Sequence, residues 1–129
     1  MSTTTATAYI DNHTTVAINS TNTATAAQVA SGYITSTSVA GTIITLPTGT
    51  LLGAELHAVQ GTIFDLYIDN TAGANDVTIA VGVNNIQSEW SVYQDVGGAP
   101  LTVVFGVTGT ACYRFVFSSS TACTFCRIA

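Results

Sequence analysis

Between Ile63 and Asp69 apolar and polar positions alternate, with Phe64, Leu66 and Ile68 on one face of a strand and Ile63, Asp65, Tyr67 and Asp69 on the other. After the small polar linker Asn70 to Gly73, the alternation resumes at Val77, Ile79 and Val81. Residues 62–69 and 76–83 therefore read as a hairpin, with Phe64, Leu66, Ile68, Val77, Ile79 and Val81 turned to the core and Asp69 and Asp76 marking the turn. Further strand-like runs follow at 86–96, 101–107, 110–117 and 122–128, and two precede at 33–38 and 41–46 with a turn at Ala40-Gly41. The breaks between them carry Gly, Pro, Asn and Ser, as in Asn84-Asn85, Gly97 to Pro100, Thr108-Gly109 and Ser118 to Ser120. Short strands at this spacing predict an all-β fold, an antiparallel β-sandwich or jelly-roll-like domain.

Two segments leave the two-residue period. Leu51, Leu52 and Leu56 fall at helical spacing after Pro47-Thr48-Gly49, which predicts one short helix near 50–58 with its apolar stripe on the sheet. Thr25 to Ala30 supports a single helical turn, in which Thr25 is the N-cap, Gln28 completes a capping box, and Gly32 ends the turn. Residues 1–25 are a low-complexity Thr/Ala-rich arm with only Tyr9, Ile10, Val16 and Ile18 to bury and room for one short strand at about Thr14 to Asn19. The expected organisation is this arm followed by a single β-rich domain over 26–129, without a fixed-period repeat.

Composition narrows the function classes. Of the 129 residues 47% are hydrophobic and only 7% charged, against about 25% in ordinary soluble domains, so the surface must be built from Thr, Ser, Asn and Gly. The net charge is −5, Arg114 and Arg127 are the only strongly basic side chains, and no lysine is present, which excludes nucleic-acid binding by phosphate neutralisation. A face without long, entropically costly side chains is ordered cheaply against a partner, which points to an interaction protein. No apolar run is long enough for a membrane-crossing helix, and Met1 is not followed by a basic and then an apolar stretch, so maturation in a cytoplasm is expected.

Candidate chemistry is thin. Asp69-Asn70 and Asn75-Asp76 at one turn offer oxygen ligands for Ca²⁺, but Asp and Asn flank turns for their own backbone hydrogen bonds, and no EF-hand spacing is present. Cys123 and Cys126 have CxxC spacing without a nearby histidine or a βαβ context. A Cys112–Cys126 bridge is conceivable if 110–117 pairs with 122–128, yet free buried thiols fit an odd cysteine count better. His13 and His57 build no nucleophilic triad. Trp90 and Tyr93 are either an aromatic platform for a sugar, an interface anchor, or the edge of the core. Asp65 is a mid-strand charge whose only arginine partners are Arg114 and Arg127, so an Asp65 to arginine contact is expected, within the chain or across an interface. Neither catalytic residues, a metal nor a cofactor is expected.

The run from Tyr33 to Leu56 (YITSTSVAGTIITLPTGTLLGAEL), followed by GTIFDLYIDNTAGANDVTIAVG and the C-terminal FVFSSSTACTFCRIA with its Arg127-Ile128 pair, resembles the small β-rich decoration, or cement, proteins of tailed bacteriophages. The resemblance implies a virion structural protein on the capsid exterior, a homotrimer that bridges major capsid protein subunits, with partners limited to the shell and itself and no membrane or nucleic-acid role. The same β-modules occur in fibres and tail appendages, so a receptor- or glycan-binding module is the alternative. On either reading the candidate interface residues are Tyr9, Ile10, Val16 and Ile18 in the arm, Trp90 and Tyr93, and Asp65 with Arg114 and Arg127.

Overall fold

The computed structural model describes residues 12–81, 86–88 (backbone) and 101–129. In chain order the elements are β1 (Thr14–Ala17), β2 (Asn22–Thr23), α1 (Ala26–Ala30), β3 (Gly32–Thr35), β4 (Thr42–Thr45), α2 (Gly49–Leu56), β5 (Ile63–Asp69), β6 (Val77–Ala80), β7 (Ile86–Ser88), β8 (Thr102–Val103), β9 (Thr110–Phe117) and β10 (Cys123–Arg127). The fold is mostly β. A six-stranded sheet has the order β1-β3-β5-β9-β10-β7, and a four-stranded sheet has the order β2-β4-β6-β8.

Both sheets are mixed, which corrects the antiparallel expectation. β1, β3 and β5 run parallel in the register Val16, Ile34, Ile68, while β2, β4 and β6 run parallel in the register Asn22, Ile44, Ile79. The chain thus coils, each pass laying one strand in the larger sheet and the next in the smaller. Parallel neighbours need a crossover, and α1 and α2 supply part of the return path, packed against each other. In the C-terminal part β9 runs antiparallel to β5 and, across a tight turn, to β10, and β8 runs antiparallel to β6, while β7 joins β10 in parallel.

Residues 62–69 and 76–83 are consequently not a hairpin, since β5 and β6 belong to different sheets. The segments at 33–38 and 41–46 separate in the same way. Alternation fixes which face of a strand is apolar, and leaves open which strand lies beside it. The predicted core face holds for Leu66, Ile68, Val77 and Ile79, all buried, whereas Phe64 is half-buried and Val81, beyond the end of β6, is exposed. The expected strand at 101–107 shrinks to Thr102–Val103, and the 86–96 strand is described only at Ile86–Ser88.

Local chemistry explains both helices. Thr25 accepts from the Gln28 N–H and the Gln28 side chain accepts from the Thr25 N–H, which is the predicted capping box. Thr48 caps α2, and His57 closes it in the left-handed region. Gly53, unfavourable by propensity, sits where a Cβ would collide with the Ser120 backbone, so it lets the helix lie directly on the β9–β10 turn.

One core joins both sheets: Ile34, Leu66, Ile68, Phe115, Phe117 and Phe125 from the larger, Ile44, Val77, Ile79 and Val103 from the smaller, and Val29 and Leu52 from the helices. The rings of Phe115 and Phe125 stack at 5.2 Å. Each such burial contributes about 1.5–3 kcal/mol, so the core and not surface pairing holds the fold. The described part of residues 1–25 is built into it, since β1 and β2 join the sheets and Ile18 and Ala24 are buried.

The three cysteines are free thiols. Cys123 and Cys126, three apart on a strand, face opposite ways, so they do not converge on one metal. Cys126 lies opposite Arg114, with Cys112 a diagonal neighbour. Burial pushes the Cys123 thiol up to about 11, and burial followed by the Asp65 charge raises Cys112. Because a raised pKa keeps the thiol protonated at pH 8, iodoacetamide on the native protein is expected to label Cys126 first, with Cys112 and Cys123 protected until urea unfolds the chain. Equal labelling of all three, followed by mass spectrometry, would overturn that assignment.

Candidate functional site

The connections at 36–41, 70–76 and 104–109 all cross between the sheets at one end of the fold. Asn70, fully buried, ties them together. Its side chain accepts from Ser38 Oγ at 2.9 Å and donates to the Asn75 carbonyl at 2.9 Å and the Val103 carbonyl at 3.1 Å. Its backbone N–H donates to the Gly109 carbonyl at 2.7 Å and its carbonyl accepts from Gly73 N–H at 3.0 Å. Gly73 is needed there, because a Cβ would collide with the Asn70 and Ser38 side chains.

On this rigid base the connections expose apolar side chains. Val39 is 81% exposed, Val104 45%, Phe105 52% and Val107 96%. Phe105 and Val107 flank Gly106, whose positive φ of 95° breaks the expected strand; Gly109 N–H closes the turn onto the Gly106 carbonyl at 2.8 Å. Asp69 precedes the 70–76 connection at this same end, and Asp76 closes it. Asp69 accepts from Thr71 Oγ1 at 2.6 Å, from Thr71 N–H at 3.0 Å and from Tyr33 Oη at 2.8 Å, and the Thr71 bonds chiefly hold its pKa below the usual carboxylate value. The result is an apolar end with an acidic margin, held in shape without a partner.

The residues singled out by sequence are dispersed. Asp65 and Arg114 are direct cross-strand partners joined by two bonds, Nε to Oδ1 at 2.8 Å and Nη2 to Oδ2 at 2.9 Å, so the expected arginine contact is present within the chain. Arg127 instead donates to the Thr102 and Ala129 carbonyls, each at 2.9 Å, and so links β10 to the smaller sheet. Ile18 is buried and Val16 packs half-buried against the core, which places both inside the fold of this chain. Tyr9, Ile10, Trp90 and Tyr93 lie outside the described residues. Asp69 and Asp76 flank the 70–76 connection, with the Asn70 amide committed to neighbouring loops, and among the described residues no three His, Cys, Asp or Glu side chains are grouped to hold a metal.

Sequence reading missed Asn70, Ser38, Val39, Phe105 and Val107 as a unit. The available signal was an Asn directly after a strand and before a glycine, in Asp69-Asn70-Thr71-Ala72-Gly73. Comparison with protein-family models, with curated proteins and with solved structures gives no match.

Proposed function

We propose that this chain is a virion structural protein that binds the outer surface of a phage capsid and stabilises the shell, as a homotrimer bridging major capsid protein subunits, with no catalytic role. The observation that carries the reading is the rigid apolar loop end, Val39, Phe105 and Val107 over the buried Asn70 network. The resemblance along 33–56, 61–82 and 115–129 supports the capsid as the partner, and the lysine-free composition suits a surface made to be covered. In this reading the two sheets sharing one core form an open β-sandwich that presents its loop end to the shell.

The mechanism is adhesion by area. Val39, Phe105 and Val107 leave water against apolar shell surface, while Asp69 and Asp76 meet basic shell residues and set orientation. Because the protein binds only the assembled shell, its binding free energy adds to shell stability by linkage. Purified protein is expected to cosediment saturably with empty shells and to raise their melting temperature. A strict monomer by light scattering that leaves shells unbound and their melting unchanged would overturn the proposal.

A further inference from the structure

We propose a binding subsite for a neutral saccharide on the outer face of the six-stranded sheet, centred on Tyr33 and Tyr67. These residues are cross-strand neighbours of β3 and β5, with ring centroids 6.2 Å apart and planes within 24°. The His13 ring lies 6.0 Å from that of Tyr67. Two clefts adjoin along this line: one of about 350 Å³ lined by Asn12, His13, Thr15, Tyr33 and Tyr67, the other of about 270 Å³ that adds Ile63, Phe64 and Asp65 to His13 and Tyr67. The two clefts share His13 and Tyr67 and together make up the trough taken as the subsite, each close to the small end of the size range of ligand sites.

Its chemistry selects the ligand. Aromatic faces and Ile63 offer apolar area to the C–H face of a pyranose ring, and the Asn12 amide, the Thr15 hydroxyl and the Asp65 carboxylate offer donors and acceptors to ring hydroxyls. Asp69, bonded to Tyr33 Oη, fixes that phenol at the margin. The nearby guanidinium, that of Arg114, is held by Asp65 through two bonds, so the trough offers a phosphate or sulfate two carboxylates and no uncommitted arginine. A neutral polyhydroxylated ring meets both the apolar face and the polar margin.

The subsite touches the loop end only at Asp69 and is tested on the isolated protein, so its failure leaves the shell-binding proposal standing. The probes are the methyl glycosides of glucose, galactose, mannose and N-acetylglucosamine, titrated by protein-observed NMR, with inorganic phosphate as the anionic arm. At least one glycoside is expected to saturate with Kd of about 1 mM, shifting Tyr33, Tyr67 and His13 resonances, while phosphate shifts none of them. Tyr67→Ala is expected to weaken that affinity about tenfold; Tyr67→Phe, which keeps the ring, retains most of it, and Val59→Ser, outside the trough, matches the parent. Absence of binding by all four glycosides, shifts confined to other residues, preferential phosphate binding, or a folded Tyr67→Ala that binds as the parent does would each overturn the proposal.

Discussion

Asn70→Ala is expected to lower the unfolding free energy by about 2–4 kcal/mol, because it removes the buried donor of two carbonyls and the acceptor of Ser38 at once. Leaving buried polar groups without partners costs more than the net value of the bonds, and water has little access where Asn70 is 0% exposed. The backbone bonds of Asn70 to Gly109 and Gly73 survive the substitution, so the fold is weakened and not abolished. Asn70→Asp separates size from chemistry. It keeps the shape but turns an acceptor toward the Asn75 and Val103 carbonyls, so it is expected to be at least as destabilising as alanine. Urea unfolding of the three proteins decides the matter. A loss below about 0.5 kcal/mol for alanine, within the ordinary range of surface substitutions, would show that Asn70 does not tie the loop end.

Features governed by neighbours in sequence were legible in the chain. Thr25 and Gln28 announce their capping box because both partners lie within one turn, and the β9–β10 pairing follows from two strand-like runs with Ser118 to Thr121 between them. The Asp65–Arg114 contact was legible for a different reason, the scarcity of cations: one carboxylate in mid-strand had two arginines to choose from. The pairing of β5 and β6 was not legible. Their apolar faces read correctly, but whether consecutive strands turn back in one sheet or cross to another depends on the 70–76 connection, whose shape is set by Ser38 and by the Val103 and Gly109 carbonyls from distant parts of the chain. The coil of parallel strands escaped for a related reason. Its passes differ in length, with returns containing a five-residue α1 and an eight-residue α2, so no fixed period is written in the sequence. The apolar loop end was hidden by its own hydrophobicity: Leu101 to Val107 reads as a strand, and only Val103 of that run is buried.

Phe105→Asp combined with Val107→Asp is expected to weaken shell binding at least about 100-fold while leaving folded stability close to the parent. Hot-spot side chains typically cost about 2 kcal/mol or more each when lost, and a carboxylate carried into a dry contact adds a desolvation penalty. The exposures of 52% and 96% mean that little core packing is lost in the free protein, so urea unfolding and cosedimentation with shells should separate. The control is Val59→Asp. Val59 is 65% exposed, comparable in chemistry, but it lies just before β5 begins, at the opposite end of the strand from the Asn70 loops. If the loop end meets the shell, Val59→Asp binds as the parent does and the double variant does not. The reverse pattern would move the contact to the other end of the fold, and equal binding by all three proteins would remove the apolar loop end from the interface altogether. The added charge also distinguishes adhesion by area from attraction by charge. A contact dominated by attraction between the acidic protein and a basic shell would be strengthened by two further aspartates at low salt, whereas one dominated by apolar burial is weakened at every salt concentration.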